Sequence, residues 1–184
     1  MIFRPTDLDG VVLVEPEMIE DARGAFARTF SRQEFVARGL DPEISECSVS
    51  TNNGVGTLRG LHFQRAPHLE AKLVRCARGR IWDVAVDLRI ASPTYLGWIG
   101  VELDSRRRTS VFLPKGVAHG FLTLEPDTEV LYQISTPYDP GAAAGVRWDD
   151  DAFGIRWPSE PAIMSERDAA FPDFDPARDS IQGR

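Results

Sequence analysis

The sequence predicts an all-β fold, built as an antiparallel sandwich or small barrel. Thirteen prolines and 15 glycines divide the 184 residues into short segments, which is typical of strands joined by tight turns. From residue 70 onward, runs rich in Val, Ile and Leu recur between turn signals such as Pro114-Lys-Gly116. The length suits a single domain over residues 1–184, because domains commonly hold roughly 100–200 residues.

The strands can be placed in order from the turns between them. Residues 58–64 form a strand-like segment, followed by a strand over 72–77, a turn at Arg78-Gly79 and a return strand over 80–88. The alternation of apolar residues in the return strand is imperfect, so we expect it to be covered on both faces. Further strands are predicted over residues 97–103, 109–113, 118–124 and 129–135.

A short helix is predicted near the N-terminus. Ser31 followed by Glu34 forms a capping-box pattern, in which each side chain satisfies a backbone N–H of the other residue. Gly39 is placed to end this helix in the left-handed conformation. After Trp157, prolines at positions 158, 161, 172 and 176 interrupt the chain. We therefore expect an irregular C-terminal tail, extended or loosely helical, that wraps on the barrel.

The composition argues against several classes of function. A net charge of −7 without a basic tail disfavours a general nucleic-acid binder, because neutralising phosphates needs a cationic face. No apolar run approaches the roughly 18–20 residues of a membrane span, and the N-terminus lacks the layers of a signal peptide. Two cysteines without a CxxC pair disfavour a disulfide framework or a thiolate zinc site. We expect a cytoplasmic protein with no membrane or nucleic-acid partner.

The charge is unevenly distributed along the chain. Residues 59–80 hold six basic side chains against Glu70, a local net of +5. Residues 139–175 hold nine acidic side chains against three arginines, a local net of −6. A cationic segment within an acidic chain favours a pocket that attracts a small anion such as a diphosphate.

Two histidines lie in strand-like settings with small neighbours. On a strand over residues 58–64, Gly60, His62 and Gln64 share one face and Arg59 lies on the other. Glycine beside histidine lets a ligand approach the backbone, but a half-buried structural histidine fits the same pattern. His119 could likewise contact a ligand or make a structural hydrogen bond. Neither histidine has a second histidine two positions away, and Gln64 is an uncommon ligand for transition metals, so we expect no metal.

Three further side chains could take part in proton transfer. Lys72 begins a strand among apolar residues, either as a snorkelling residue or as an electrostatic anchor for an anion. Tyr132 is either a core tyrosine or a phenol that donates a proton. Asp168 belongs to a helix N-cap or serves as a carboxylate that holds and charges a histidine. The sequence contains no nucleophile-elbow, Walker or dinucleotide-binding motif, which disfavours hydrolase and Rossmann-type functions.

A series of short motifs runs through nearly the whole chain: DARGAF (21–26), LRGLHFQ (58–64), KLVR (72–75), DVAVDLR (83–89), PKGVAHGF (114–121), VLYQ (130–133), VRW (146–148), IRWP (155–158) and SERD (165–168). In this order the series resembles the dTDP-4-dehydrorhamnose 3,5-epimerase family of nucleotide-sugar epimerases. The resemblance implies a cupin-like antiparallel jelly-roll barrel. It also implies an isomerase that inverts C3 and C5 of a nucleoside-diphosphate-linked 4-keto-6-deoxyhexose. Because the C4 carbonyl acidifies the protons on both carbons, no cofactor is implied.

The resemblance also implies roles for particular residues. His62 is the general base, and Asp168 holds and charges it. Lys72 stabilises the enolate at the C4 oxygen, and Tyr132 returns a proton from the opposite face. Contacts with the sugar, the diphosphate or the base are implied for a further set of residues: Arg23, Phe26, Arg59, Gln64, His119, Tyr138 and Arg167. A homodimer, with the N-terminal segment donated to the partner, is implied as well.

Several positions depart from the family pattern. Arg28 and Ala143 stand where glutamate is usual, Phe63 where tyrosine is usual, and Arg167 where lysine is usual. These positions belong to the part of the pattern that holds the nucleotide and the sugar. Two alternatives therefore stay open: an epimerase that inverts only C3 or only C5 of a dTDP- or CDP-sugar, and a non-catalytic barrel that binds a sugar nucleotide.

Overall fold

The computed structural model describes residues 1–182 and consists mainly of antiparallel β-strands with short helices. The last two residues of the predicted 1–184 domain lie outside the described residues. The strands are β1 (Ile2–Pro5), β2 (Val12–Glu15), β3 (Met18–Asp21), β4 (Gly24–Ala27), β5 (Glu46–Asn52), β6 (Leu58–Gln64), β7 (Lys72–Arg78), β8 (Arg80–Asp87), β9 (Trp98–Asp104), β10 (Ser110–Leu113), β11 (Val117–Thr123), β12 (Thr128–Ile134) and β13 (Ala143–Gly145). The helices are α1 (Arg32–Val36), α2 (Glu166–Ala169) and α3 (Pro176–Asp179).

Two sheets carry most of the strands. The six-stranded sheet has the order β1-β2-β10-β7-β12-β5, and the five-stranded sheet has the order β13-β6-β11-β8-β9. Strands β3 and β4 form a separate two-stranded hairpin. The seven strands predicted between residues 58 and 135 coincide with β6 to β12 to within one residue at each end. The all-β prediction is therefore confirmed.

The chain repeatedly crosses from one sheet to the other. Strands β5, β7, β10 and β12 lie in one sheet, and β6, β8, β11 and β13 in the other. The prediction that residues 80–88 return alongside 72–77 is wrong in this respect, because β7 and β8 pair with different partners. Gly79, with a φ of 76°, makes the turn between them, and a β-carbon there would lie 2.4 Å from the Thr128 hydroxyl. This close approach requires glycine.

The main core lies between the two sheets and includes Val74, Ile81, Phe121 and Val130. A second core cluster covers the other face of the five-stranded sheet, where Phe153 and Ile181 of the C-terminal tail pack. Strand β8 contributes to both clusters, so the prediction that it is covered on both faces is confirmed. Each fully buried Val, Leu, Ile or Phe contributes roughly 1.5–3 kcal/mol relative to an exposed one.

The segment before β5 differs in detail from the capping-box prediction. Helix α1 follows Ser31, but the Ser31 side chain makes no capping hydrogen bond. The Glu34 carboxylate lies 3.7 Å from the Arg38 guanidinium, one turn further on. The capping box is therefore absent. Gly39 has a φ of 69°, as the sequence predicts for the end of the helix.

The C-terminal tail is irregular, with two one-turn helices and two isolated bridges. The bridges join Thr57 to Ile163 and Arg89 to Ile181. The buried Asp179 carboxylate accepts hydrogen bonds from Arg65 and Arg178, at 3.0 and 2.9 Å. These contacts fix the tail against the five-stranded sheet.

A bulge in β6 determines which of its side chains share a face. His62 pairs with His119, but Arg59 pairs with Phe121, so three steps along β6 match two along β11. Because of the extra residue, Arg59 and His62 line the same cavity. The prediction that Arg59 lies on the face opposite His62 is therefore wrong. At the bulge the backbones of Gly60 and Gly120 approach so closely that neither has room for a side chain.

Gly60→Ala tests this close approach. A β-carbon at Gly60 would lie 2.5 Å from the Gly120 Cα and 2.9 Å from the His119 carbonyl oxygen. Overpacking costs about 1–3 kcal/mol, and the positive φ of 134° adds strain. We expect a clear loss in the free energy of unfolding, measured by urea denaturation followed by tryptophan fluorescence.

Gly39→Ala is the matched control. Gly39 also has a positive φ, but a β-carbon added there would meet no atom within 4 Å, so only the backbone conformation is penalised. That conformation costs roughly 1–2 kcal/mol for a residue other than glycine. Equal losses in the two variants would contradict the packing role of Gly60.

Candidate active site

A cavity of about 320 Å³ opens between the two sheets. Strands β5, β7 and β12 of one sheet and β6 and β11 of the other supply its walls. Eight of the eleven residues to which the sequence assigns a role line it: Arg59, His62, Gln64, Lys72, His119, Tyr132, Tyr138 and Arg167. A ninth, Asp168, is hydrogen-bonded to His62. Residues from positions 59 to 168 are thus brought together by the crossing of the chain between sheets.

His62 forms a hydrogen-bonded pair with Asp168. The His62 Nε2 lies 2.8 Å from the Asp168 Oδ1, and the other carboxylate oxygen accepts the Gly60 N–H at 3.1 Å. The imidazole is 39% exposed and the carboxylate only 6%, so the ring faces the cavity while its partner is buried. A histidine held this way in one tautomer, with a carboxylate to stabilise its protonated form, can act as a general base.

Helix α2 delivers Asp168 to this position. The Ser165 hydroxyl caps the helix by accepting the Asp168 backbone N–H at 3.1 Å. The SERD motif therefore does both things considered for it: Ser165 caps the helix, and the same helical turn positions the Asp168 carboxylate beside His62. Burial would raise the pKa of Asp168, but the hydrogen bond and charge of His62, with the Gly60 N–H and Ser165, hold that pKa below its usual value.

Lys72 is 8% exposed and extends into the cavity from the start of β7. Its Nζ lies 2.8 Å from the Glu70 Oε1 and 3.4 Å from the His62 carbonyl oxygen. An ammonium group placed here can stabilise negative charge that develops on a ligand next to His62.

Tyr132 lies on β12, next to the β7 strand that carries Lys72, and His119 lies on β11 of the other sheet. Their rings meet edge to face, with centroids 5.9 Å apart. Burial raises the pKa of the Tyr132 phenol, the charge of Asp83 raises it further, and Arg59 opposes both. The phenol is therefore protonated near neutral pH and can donate its proton only to a strong base such as an enolate.

The His119 ring is itself fixed by a carboxylate. Its Nε2 lies 2.8 Å from the Asp83 Oδ2, and both side chains are buried. The second oxygen, Oδ1, is buried and has no hydrogen-bond partner in the described part of the chain. A histidine held in this way presents a fixed ring edge to the cavity.

The mouth of the cavity is basic and aromatic. Arg59 donates to the Asn52 side-chain oxygen at 2.7 Å, and Arg167 lies 5.9 Å from the Phe171 ring centroid. Neither arginine forms an ion pair among residues 1–182, so both charges are available to an anion. Tyr138 is 56% exposed at this mouth.

Gln64 has a different environment from the other predicted ligand-binding residues. Its amide nitrogen donates to the carbonyl oxygens of His68 and Pro137, at 3.1 and 3.2 Å. Its amide oxygen accepts the Asp139 N–H at 2.7 Å. The side chain is thus used to hold the loop that carries Tyr138.

The structure does not bring Arg23 and Phe26 into the cavity of this chain. Both belong to the β3–β4 hairpin, where the Arg23 side chain is 90% exposed and pairs with Asp21. Phe26 is 69% exposed and lies opposite Ile19, which is 67% exposed. The hairpin therefore projects an apolar surface away from the two main sheets.

The geometry agrees with comparisons to known proteins. The family model for dTDP-4-dehydrorhamnose 3,5-epimerase matches residues 5–176. The chain is 40% identical over 181 residues to the dTDP-4-dehydrorhamnose 3,5-epimerase of Salmonella typhimurium, covering 96% of this chain and 97% of that protein. The chain belongs to the dTDP-4-dehydrorhamnose 3,5-epimerase family. The resemblance in its motifs is confirmed, and its enzyme class is isomerase.

Two further members of the epimerase family bear on the chemistry. A crystal structure of the Legionella pneumophila enzyme in complex with dTDP-4-keto-L-rhamnose has a TM-score of 0.92 to this chain at 30% identity, covering 100% of this chain and 98% of that one. The dTDP-4-dehydrorhamnose 3-epimerase of Streptomyces niveus is 37% identical over 171 residues, covering 91% of this chain and 81% of that protein.

Three carboxylates of the epimerase cavity were missed by sequence reasoning. Glu70 contacts Lys72, Asp83 contacts His119, and Glu46 accepts the Tyr138 N–H at 3.2 Å. Glu70 carried one signal, since it is the single acid in the basic segment 59–80. Asp83 also carried one, since it begins the DVAVDLR motif, whereas Glu46 carried none.

Other kinds of site were also sought in residues 1–182. No group of three or more His, Cys, Asp or Glu side chains that could hold a metal ion occurs there. Within the same range, no helix is both long and apolar enough to cross a membrane. Cys47 is exposed and Cys76 is buried, and both are free thiols.

Asp168→Asn tests the linkage between the His62 pair and stability. Because the pKa of Asp168 is lower in the folded chain, its ionised form stabilises the fold above the ordinary carboxyl pKa, and this contribution is lost as the pH falls through the folded-state pKa. We expect the difference in unfolding free energy between wild type and Asp168→Asn to shrink from about pH 6 to about pH 3, around the usual carboxyl range. Urea denaturation at each pH measures it.

Asp21→Asn serves as the control for this titration. Arg23 also lowers the pKa of Asp21, but the pair is exposed and solvent screens it. We expect little difference from wild type at any pH. A pH-independent difference for Asp168→Asn would contradict the linkage.

Proposed function

We propose that this protein inverts C3 and C5 of a nucleoside-diphosphate-linked 4-keto-6-deoxyhexose, converting dTDP-4-dehydro-6-deoxyglucose to dTDP-4-dehydrorhamnose. The observation that carries the proposal is the convergence of the His62–Asp168 pair, the Lys72 ammonium and the Tyr132 phenol on one cavity. Family membership supplies the substrate class, and the Legionella pneumophila complex supports it.

In the proposed mechanism His62 acts as the general base. It removes the proton from a carbon next to the C4 carbonyl, and the C–H electron pair moves to the C4 oxygen as an enolate. The Asp168 carboxylate, 2.8 Å from Nε2, stabilises the imidazolium that forms. Lys72 stabilises the enolate oxygen.

Tyr132 completes the inversion by returning a proton from the other side of the sugar. Its raised pKa suits a neutral phenol that gives up its proton as the enolate collapses. The phenolate then regains a proton from water, and the His62 imidazolium releases its proton to water. His119, held by Asp83, would orient the sugar oxygens. Proton removal on one face and proton return on the other give inversion without net oxidation or reduction.

The nucleotide would bind at the mouth of the cavity. Arg59 and Arg167 have no ion-pair partner in the described residues and would hold the diphosphate, and Tyr138 would contact the base. Arg23 and Phe26 would come from the β3–β4 hairpin of a second copy, which makes the active form a homodimer. We place the two sheets in the cupin-type jelly-roll class, as one domain acting in the cytoplasm without a cofactor.

A single-centre epimerase is the second candidate. The relative from Streptomyces niveus named as a 3-epimerase favours it. Ala143 also lines the cavity where the family pattern usually has glutamate, so the sugar or nucleotide contacts differ there. A non-catalytic binding barrel is less well supported, because binding alone does not need a base and an acid on opposite faces.

Solvent isotope exchange tests the proposed reaction. Incubating dTDP-4-keto-6-deoxyglucose with the protein in D₂O should place deuterium at C3 and C5, because each enolate is reprotonated from exchangeable groups. Proton NMR and mass spectrometry of the sugar measure the label. Label at one carbon would select the single-centre epimerase, and no label would overturn the proposed activity on this nucleotide.

His62→Ala and Tyr132→Phe separate the two proton transfers. Loss of the base should lower exchange at both carbons about 10²–10⁴-fold. Tyr132→Phe should slow net inversion more than exchange, because His62 can still remove a proton and return it to the same face. Comparing deuterium uptake with product formation measures both effects. An equal loss of exchange and inversion in Tyr132→Phe would rule out Tyr132 as the returning acid.

A further inference from the structure

Glu70 and Lys72 form an ion pair inside the cavity. The Glu70 Oε1 lies 2.8 Å from Nζ, and each side chain is 9% exposed. Glu70 is the only carboxylate within 4 Å of Nζ in the described chain. It lies in the segment before β7 and is held close to the strand that begins with Lys72.

The pair restricts a side chain that is otherwise flexible. A lysine has a four-carbon stem and a strongly hydrated ammonium, so it tends to extend towards water. Here the open mouth of the cavity offers water, yet Nζ is held inside by its ion pair with the Glu70 carboxylate and by a hydrogen bond to the His62 carbonyl oxygen at 3.4 Å. An ammonium can donate three hydrogen bonds. The third donor remains for a ligand in the cavity that Lys72 lines.

The charge of Glu70 also matters, because Lys72 lies in a basic part of the cavity. Arg59 and Arg167 line the same cavity, and His62 becomes positive when it takes a proton. A nearly buried ammonium without a partner would be costly and would be repelled by these groups. Glu70 offsets that repulsion while leaving Lys72 next to His62.

We propose that Glu70 is a positioning residue of the epimerase reaction, which fixes the Lys72 ammonium where the enolate oxygen forms. The proposal rests on the proposed function. Glu70 acts through Lys72 rather than on the sugar, so it governs the rate of proton exchange and not the binding of the nucleotide.

A pair of substitutions tests the effect on the reaction. Glu70→Ala removes both acceptor and charge, and we expect the exchange rate at saturation to fall about 10²-fold, as for a misplaced catalytic group. Affinity for dTDP should not fall, because the cavity becomes more positive. Glu70→Gln keeps an oxygen near Nζ but removes the charge, so we expect its rate to fall between those of wild type and Glu70→Ala.

Two further variants separate positioning from damage to the fold. In a Lys72→Ala background, Glu70→Ala should cause no additional loss, since the two residues act as one unit. Glu102→Gln removes a carboxylate of β9 that pairs with Arg80 outside the cavity, and it should behave as wild type. Additive losses in the double variant, or equal losses in Glu70→Ala and Glu70→Gln, would overturn the proposal.

A chemical measurement tests the same contact without enzyme activity. The chain contains only two lysines, Lys72 and Lys115, and Lys115 pairs with Asp41 at 3.0 Å with its side chain 49% exposed. Lysine acetylation by an N-hydroxysuccinimide ester, quantified by peptide mass spectrometry, gives the reactivity of Lys72 relative to Lys115 in the same molecule. We expect this ratio to rise several-fold in Glu70→Ala and to rise less in Glu70→Gln.

The two readouts keep the two proposals distinguishable. A wild-type protein that exchanges no sugar proton overturns the proposed function, while the acetylation ratio still decides whether Glu70 holds Lys72. A wild-type protein that is active, with an unchanged exchange rate and acetylation ratio in Glu70→Ala, overturns the role of Glu70 alone.

Discussion

The contact between the Gly60 and Gly120 backbones governs the arrangement of the active site. Because neither glycine has a side chain, the backbones of β6 and β11 lie closer together here than residues with a β-carbon would allow. The bulge at this contact turns Arg59 towards the same cavity as His62, and the register beyond it sets His62 opposite His119. The Gly60 N–H points at Asp168, so the same glycine helps to hold the carboxylate of the base.

The site is organised by pairing each buried charge. Asp168 holds His62, Asp83 holds His119, and Glu70 holds Lys72. Arg59 and Arg167, which have no ion-pair partner within residues 1–182, lie at the mouth. A protein with a net charge of −7 can therefore present a locally positive cavity mouth, because its negative charge lies elsewhere or is already neutralised by partners.

Local sequence patterns predicted where the strands begin and end, but not which strands pair with one another. Turn residues and apolar runs placed β6 to β12 to within one residue, and the structure brings the motif residues His62, Lys72, Tyr132 and Asp168 together at one cavity. The patterns did not reveal that β7 and β8 lie in different sheets, because pairing depends on contacts far apart in sequence. The bulge was also missed, since strict alternation assigns Arg59 to the wrong face. The predicted capping box does not form. A sequence motif shows only that such a hydrogen bond is possible, and competing contacts decide whether it is made.

Because Asp168 belongs to the C-terminal tail, the proposed base His62 depends on a segment that is attached separately from the two sheets. Asp168 lies between the two isolated bridges at Ile163 and Ile181, outside the regular ladders of the sheets. Release of this segment would separate Asp168 from His62 while both sheets kept their hydrogen bonds. Local opening of this kind requires less free energy than global unfolding. The His62–Asp168 pair therefore has its own thermal limit, set by the docking of the segment between Ile163 and Ile181 rather than by the two sheets.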